Sequence, residues 1–271
     1  MIRLNAAFFS GSLGRDAQLT VLLPSCVENV PPEGYPVLYL LHGLTDSADS
    51  WLFRTSLERY GDSHNIAIVL PNAARSFYCD MVGGDAYYTH ISREVPAFCE
   101  AVFPVTRDVR YRYLAGNSMG AYGACKIALK NPGQFSKVGL LSGVLDIRQM
   151  VENAPMFHRD WLLCFGGTQV PEEEDLLALL PGTAVLPQFY HYCGTGDFLA
   201  EGNRTFCELC RKLGVPIASV WEEGGVHEWH CWDRQLPRLL SWLEGKPCLA
   251  EENLLQQQLR SSGVSASPDQ A

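Results

Sequence analysis

Two features typical of membrane proteins and nucleic-acid-binding proteins are missing from this chain of 271 residues. No apolar run is long enough to span a bilayer, and Met1 to Ser10 lack a long apolar segment followed by a small-residue cleavage site. The formal net charge is -9, and no basic cluster offsets it. We therefore expect a cytoplasmic protein with neither nucleic acid nor membrane as partner. Composition leaves formation of a homo-oligomer open.

The ten cysteines form no recognisable disulfide or metal framework. Only Cys207 and Cys210 form a Cys-x-x-Cys pair. That pair lies in a helical pattern and lacks both the second ligand pair of a zinc site and the strand-loop entry of a redox motif. Helix packing is favoured over a redox role or a metal role, so no metal site is expected. The others are scattered through apolar segments, as small buried side chains would be: Cys26, Cys79, Cys99, Cys125, Cys164, Cys193, Cys231 and Cys248.

Apolar runs alternate with helical patterns over most of the chain. This alternation predicts an α/β fold in which a mainly parallel central sheet carries helices on both faces. The short, turn-rich stretch 10–16 predicts that the sheet opens with an N-terminal antiparallel hairpin. We expect a single domain over residues 1–249. The predicted strands after the first are Gln18 to Leu23, Val37 to Leu41, Ile66 to Leu70, Tyr111 to Ala115, Val138 to Leu141, Gln188 to Cys193 and Ile217 to Trp221.

Two segments depart from the alternating pattern. Residues 146–187 are predicted to be irregular, because they contain several prolines and the acidic run Glu172 to Asp175. They are either an excursion that covers the functional site, as a lid would, or a solvated surface insertion. Residues 250–271 are polar and rich in Gln and Ser, so we expect a flexible C-terminal tail.

The segment Tyr113 to Ala121 places Ser118 between Gly116 and Gly120, at the end of a predicted buried strand. A helix is predicted directly after it, over Met119 to Lys130. Gly-x-Ser-x-Gly in this setting is typical of a nucleophile elbow. Its turn is so sharp that side chains two positions before and after the serine would collide with neighbouring backbone. Ser118 is therefore the predicted nucleophile.

A serine hydroxyl is a poor nucleophile until a base takes its proton, and an acid must hold that base in one orientation. In the hydrolase arrangement the chain order is serine, acid, histidine, and the last two lie on loops after late strands. Asp197 and His227 both lie in such loops, each framed by glycines. Asp146 is the rival acid and His230 the rival base. We favour Asp197 and His227 because of their glycine-framed loops.

An ester carbonyl under attack develops negative charge on its oxygen, and aimed N–H donors stabilise that charge. One predicted donor is the backbone N–H of Met119, directly after the nucleophile. The second is expected from the loop after an early strand, and Leu44 in His42-Gly43-Leu44 fits that position. His42 is expected to brace this loop, and Gly43 to give it backbone freedom.

Several short motifs in order resemble those of the esterase D-like family of esterases. The resemblance covers roughly Met1 to Leu243 and is much more specific than the elbow alone. The branch most similar to this chain is that of the tributyrin and acetyl esterases, with feruloyl esterases and S-formylglutathione hydrolases as relatives. The motifs are His42-Gly-Leu, Ser76-Phe-Tyr, Tyr87-Tyr, Glu94-Val-Pro, Gly116-Asn-Ser-Met-Gly, Gly196-Asp-Phe and His227-Glu-Trp-His-Cys-Trp232.

The resemblance implies an α/β-hydrolase fold, no cofactor, and hydrolysis of short-chain acyl esters through an acyl-enzyme formed by the residues assigned above. A small-molecule ester is the implied partner. The sequence after His227 differs from the His-Ser-Tyr-Tyr of the formylglutathione enzymes, which argues against that specificity. Formylglutathione hydrolysis, a feruloyl or acetyl-xylan esterase, and an acyltransferase remain as alternatives. A catalytically dead binding module is disfavoured because nucleophile, acid, base and oxyanion loop are all present.

Aromatic residues could wall a small apolar acyl pocket, although core packing is their commoner role. The four predicted substrate-binding residues are Trp51, Phe77, Tyr78 and Trp229, with Tyr87 and Trp161 as further candidates.

Overall fold

The computed structural model describes residues 1–25 and 30–245, and its framework is one eight-stranded sheet. The strands are β1 (Ile2–Ser10), β2 (Arg15–Leu23), β3 (Val37–Leu41), β4 (Ala67–Pro71), β5 (Arg112–Asn117), β6 (Lys137–Leu141), β7 (Gln188–Gly194) and β8 (Ile217–Glu222). Their order is β1-β2-β4-β3-β5-β6-β7-β8. β2 pairs antiparallel with β1 and with β4, whereas all later neighbours pair parallel.

Within the described residues, helices lie in the connections after β3. They are α1 (Ser50–Arg54), α2 (Leu57–Asp62), α3 (Tyr87–Thr89), α4 (Val95–Val102), α5 (Met119–Lys130), α6 (Ile147–Asn153), α7 (His158–Phe165), α8 (Leu176–Leu179), α9 (Ala200–Leu213) and α10 (Trp229–Leu243). A π-helical turn over His90–Glu94 joins α3 to α4. Within the described residues, no helix is long and apolar enough to cross a bilayer.

The core lies on both sides of the sheet, because successive side chains of a strand point to opposite faces. In β3, Val37, Tyr39 and Leu41 join one buried cluster, which contains residues of α5 and α9. Leu38 and Leu40 join a second buried cluster, which contains residues of α10. Helices therefore cover both faces of the sheet, and an all-apolar strand such as β3 is buried on both sides.

The predicted α/β class, parallel sheet and N-terminal hairpin are confirmed. α5 has the predicted bounds, Met119–Lys130. The largest strand error is at the start of β2, which begins at Arg15 instead of Gln18. The extra residues pair with the end of β1 in the hairpin, a long-range contact that local sequence patterns do not show.

The prediction that residues 146–187 are irregular is wrong, because they contain α6, α7 and α8 as well as short 3₁₀ turns. Acidic side chains start two of these helices. Asp146 accepts a hydrogen bond from the Gln149 amide at 3.0 Å, and Asp175 accepts one from the Leu177 amide at 3.0 Å. These helices are too short to show a clear helical period among the prolines, so the sequence pattern did not predict them. Cys26, Cys248 and the predicted tail 250–271 lie outside the described residues.

An ion pair with a buried lysine connects this segment to α5, the helix that follows the predicted nucleophile Ser118. Lys126 has no exposed side-chain surface, and its ammonium group bonds the Glu174 carboxylate. It also donates to the Phe77 carbonyl at 3.1 Å and lies 3.1 Å from the Cys79 sulfur. Burial opposes the charge on Lys126, yet Cys79 and Glu174 hold its pKa above the ordinary value. Both charges therefore persist in the folded protein.

Replacing Lys126 with Met should lower the free energy of unfolding by about 3 kcal/mol, because it leaves the partly buried Glu174 carboxylate with Lys130 as its remaining basic partner. Urea denaturation monitored by circular dichroism measures this change. The double variant Lys126→Met/Glu174→Gln should recover much of the loss, since no unpaired charge is left. A Lys126→Met variant as stable as the wild type would show that the pair does not stabilise the fold.

Candidate active site

Ser118 lies at the turn between β5 and α5 in a strained backbone conformation, with φ 54° and ψ -118°. Two hydrogen bonds hold this turn. The Ser118 amide donates to the Leu141 carbonyl at 3.0 Å, and the Val144 amide donates to the Ser118 carbonyl at 3.3 Å. Ser118 is half-buried. Because it lies between the end of β5 and the start of α5, it is at the carboxyl edge of the sheet, next to the first turn of that helix.

Gly116 and Gly120 are required by close backbone contacts around this turn. A Cβ atom on Gly116 would lie 2.5 Å from the Gly120 carbonyl carbon. One on Gly120 would collide with the carbonyl oxygen of Leu41 at the end of β3. The structure thus shows the predicted collision on both sides of Ser118, and the two glycines let β3, β5 and α5 approach each other closely.

Asp197 and His227 meet in space although 30 residues separate them. The Nδ1 atom of His227 lies 2.9 Å and 3.0 Å from the two carboxylate oxygens of Asp197. The Asp197 side chain is fully buried, and the Leu199 amide donates to it at 2.9 Å. An Nδ1–H that donates to this carboxylate leaves Nε2 as the imidazole nitrogen able to accept a proton.

The rival residues have other contacts. Asp146 is the N-cap of α6. His230 is exposed, and its Nε2 atom lies 3.5 Å from the sulfur of its neighbour Cys231. The geometry therefore favours Asp197 and His227 over both.

The loop after β3 lies against the turn at Ser118. A Cβ atom on Gly43 would lie 3.6 Å from the Ser118 Cβ. The predicted donor Leu44 is the next residue, so it also lies near Ser118. Met119 is the first residue of α5, and the first amides of a helix have no acceptor within it. Leu44, Met119 and Ser118 line the same cavity. This arrangement is compatible with an oxyanion hole at the positive end of the α5 dipole.

His42 braces this loop as a neutral imidazole. Its Nδ1–H donates to the Gly43 carbonyl at 2.7 Å, and its Nε2 accepts from the Ala73 amide at 3.0 Å. Burial lowers the pKa of His42, which favours the neutral form that these two bonds require. The hydroxyl group of Tyr78 donates to the His42 carbonyl at 2.9 Å and so holds the backbone of the loop.

A cavity of about 340 Å³, here called the catalytic cavity, opens beside Ser118 and His227. Two of the predicted substrate-binding residues, Phe77 and Trp229, line it. The other two, Trp51 and Tyr78, do not, and that part of the prediction needs correction. Both side chains are fully buried. The Trp51 indole N–H donates to the Leu41 carbonyl at 3.2 Å, and the Tyr78 hydroxyl group donates to the His42 carbonyl as described above.

The two further aromatic candidates also lie outside the lining. The ring of Trp161 packs on Phe77 with 4.6 Å between centroids, and the hydroxyl group of Tyr87 accepts a hydrogen bond from Arg15 at 2.7 Å. Both support neighbouring structure and do not face the catalytic cavity.

Sequence reasoning missed several residues of the cavity wall. The segment 146–187 contributes Met150 and Phe157, so it does border the site. Phe198 and Trp232 pack on the His227 imidazole, with ring centroids 4.6 Å and 5.0 Å away. Both are the last residues of motifs that carry the family resemblance, Gly196-Asp-Phe and His227-Glu-Trp-His-Cys-Trp232, and these motifs were the signal that could have indicated them. The remaining residues missed are Thr45, Asp46, Arg54 and Val144.

A buried polar network supports the loops after β6 and β7. His191 in β7 donates through Nε2 to the Asn203 side-chain oxygen at 2.9 Å, while its Nδ1 accepts from Ser219 at 2.9 Å. The Asn203 amide nitrogen donates to the carbonyl groups of Gly143 and Leu199, each at 2.8 Å. The network therefore ties β8 to the backbone near Val144 and Asp197.

The fold and the site define an α/β-hydrolase with a serine between strand β5 and helix α5. The family described as "Putative esterase" matches residues 10–262, and the chain belongs to this family. It is similar to an acetyl esterase of Caldicellulosiruptor saccharolyticus, with 26% identity over 255 residues that cover 87% of this chain and 96% of the relative.

Two solved structures from Staphylococcus aureus are also similar. The fluorophosphonate-binding serine hydrolase FphF is 27% identical with a TM-score of 0.82, and the S-formylglutathione hydrolase FrmB is 28% identical with a TM-score of 0.80. Each comparison covers 89% of this chain and 98% of the other. Family and structural likeness together identify this chain as a serine hydrolase of carboxylic esters.

The His191 network makes stability depend on pH. Burial lowers the pKa of His191 to about 4 from 6.5, although the hydrogen bond with Asn203 opposes the shift. Between these values the unfolded state binds more protons than the folded state, so stability should fall as pH falls from 6.5 to 4. The full contribution is about 3 kcal/mol by the value of one pKa unit.

Urea denaturation of the wild type and His191→Gln at pH 7, 5.5 and 4 tests this prediction. The variant should be less stable at pH 7 but lose less stability on acidification, because it has no imidazole to protonate. Equal pH dependence in the two proteins would contradict it.

Proposed function

We propose that this chain hydrolyses esters of short acyl acids, with Ser118 as nucleophile, His227 as base and Asp197 as the acid that orients it. The observation that carries the proposal is the contact of His227 Nδ1 with both oxygens of the buried Asp197 carboxylate, because His227 also lines the same cavity as Ser118. Burial of Asp197 supports the assignment, since a dry carboxylate holds the imidazole firmly.

In the first half of the reaction, Nε2 of His227 takes the proton of the Ser118 hydroxyl group as Oγ attacks the ester carbonyl carbon. The C–O bond to the alcohol then breaks, and His227 returns the proton to the leaving oxygen. The acyl group remains on Ser118. In the second half, water attacks the acyl-enzyme by the same proton transfers and releases the carboxylic acid.

The amides of Leu44 and Met119 would bind the negative oxygen of each tetrahedral intermediate. Each donor contributes about 3 kcal/mol to such a transition state where it has been measured. The positions of these two residues around Ser118 support the assignment, because the loop braced by His42 and the first turn of α5 lie on either side of it.

A short acyl group suits the size and lining of the catalytic cavity. Its volume of about 340 Å³ is at the low end for ligand pockets, and aromatic and aliphatic side chains form much of its wall. The similarity to an acetyl esterase agrees with a small acyl group.

The eight described cysteines are free and buried, which suits a reducing, cytoplasmic compartment.

A second candidate substrate is S-formylglutathione. Arg54 favours it, because an exposed guanidinium at the cavity suits the carboxylates of glutathione. Comparison of kcat/KM for S-formylglutathione and nitrophenyl acetate, in the wild type and in Arg54→Ala, separates the two. A thioester preference that Arg54→Ala removes would establish the second candidate.

Ser118→Ala should abolish ester hydrolysis, with a loss on the order of 10⁶ in kcat as for comparable nucleophiles. Hydrolysis of nitrophenyl acetate and stoichiometric labelling by a serine-directed phosphonate both measure it. The wild type should bind one label per chain, and the variant none. A thiol-blocking reagent is the control, and it should act slowly because the described cysteines are buried. Near-wild-type turnover by Ser118→Ala would remove this serine from the mechanism.

Asp197→Asn should lower kcat by roughly 10⁴, because the amide would stabilise the wrong imidazole tautomer. Asp146→Asn is a matched control: it also removes one negative charge, and asparagine caps a helix about as well as aspartate. The control should therefore keep nearly full activity. Steady-state kinetics with nitrophenyl acetate distinguish the two, and the reverse ranking would make Asp146 the acid.

A further inference from the structure

A second cavity adjoins the catalytic cavity on the side of α6. Its volume is about 310 Å³, and six of its eight lining residues are apolar. Here it is called the α6 cavity. The six are Met150, Ala154, Met156, Phe157, Phe198 and Leu199.

Three side chains belong to the walls of both cavities: Met150, Phe157 and Phe198. The two cavities are therefore neighbours, and aromatic rings and a thioether, not backbone, separate them. Thioether side chains adapt easily to the shape of a neighbour.

The α6 cavity also presents apolar surface to solvent. Met156 is 74% exposed and Phe198 is 67% exposed. Large apolar side chains exposed next to a concave apolar wall are typical of a binding site.

The proton path indicates which part of an ester would enter the α6 cavity. The leaving oxygen receives its proton from His227 and must come within hydrogen-bond reach of that imidazole. The carbonyl oxygen is directed instead towards the amides of Leu44 and Met119. Phe198 packs on the imidazole at 4.6 Å and also lines the α6 cavity. The α6 cavity thus begins on the leaving-group side of the scissile bond.

We propose that the α6 cavity binds the apolar alcohol moiety of the ester, either aryl or alkyl, so that this chain selects its substrates by the leaving group as well as by the acyl group. The inference rests on the proposed function, because it uses the roles of Ser118 and His227. Met156 is its specificity-determining residue, since it lines the α6 cavity and not the catalytic cavity.

Two substrate series separate the two halves of the ester. The alcohol series keeps acetate and varies the alcohol from methyl to phenyl to 1-naphthyl. The acyl series keeps ethanol and varies the acid from acetate to octanoate. For each ester, kcat/KM of the variant is divided by kcat/KM of the wild type. Because both proteins act on the same ester, its intrinsic reactivity cancels in this ratio.

Met156→Asp should lower the ratio of kcat/KM for 1-naphthyl acetate over methyl acetate about tenfold, the order of one misfitting group in an apolar pocket. The ratio for ethyl octanoate over ethyl acetate should not change. Val82→Asp is the matched control, because Val82 is also 74% exposed but lines neither cavity. It should leave both ratios unchanged.

Binding of 1-naphthol to the Ser118→Ala protein, followed by fluorescence, gives a readout that needs no turnover. Met156→Asp in that background should raise the Kd about tenfold, whereas Val82→Asp should not. Absence of ester hydrolysis by the wild type would contradict the proposed function but leave this binding result intact. The inference itself would be overturned by naphthol binding that Met156→Asp does not weaken, or by an effect of Met156→Asp in the acyl series alone.

Discussion

The strained backbone turn at Ser118 is the constraint on which the rest of the site depends. A non-glycine residue at φ 54° costs on the order of 1–3 kcal/mol and persists only where surrounding structure holds it. Hydrogen bonds to Leu141 and Val144 hold it here, and the missing side chains of Gly116 and Gly120 let the neighbouring backbone approach. The same turn puts the serine hydroxyl group and the first amide of α5 on one cavity.

The proposed acid and base depend on a different part of the sheet. Asp197 and His227 follow neighbouring parallel strands, β7 and β8, whose carboxyl ends meet at one edge. His191 and Asn203 then fix the adjoining loops through buried hydrogen bonds. Because the bonds of Asn203 are buried, leaving one of its partners unpaired would be costly, and the loops are therefore held in one arrangement.

The proposed specificity, in contrast, rests on a segment of short helices. The segment 146–187 contributes walls to the catalytic cavity and to the α6 cavity, and Glu174 binds the segment to α5 through Lys126. Local patterns did not predict its short helices, because each has too few turns to show a clear period. They also did not separate Phe77, which lines the catalytic cavity, from its neighbour Tyr78, which is buried behind it.

The sequence by itself determined the sheet, the hairpin, α5 and the candidate residues Ser118, Asp197 and His227, because each follows from a local pattern: an apolar run, a glycine-framed loop or a serine between glycines. Tertiary structure decided which carboxylate His227 contacts, since Asp146 and Asp197 both follow strands and only their placement in space separates them. It also decided which aromatic rings line the catalytic cavity. The burial and the hydrogen bonds of Trp51 and Tyr78 depend on contacts with residues far away in the chain, so a local sequence pattern could not predict them.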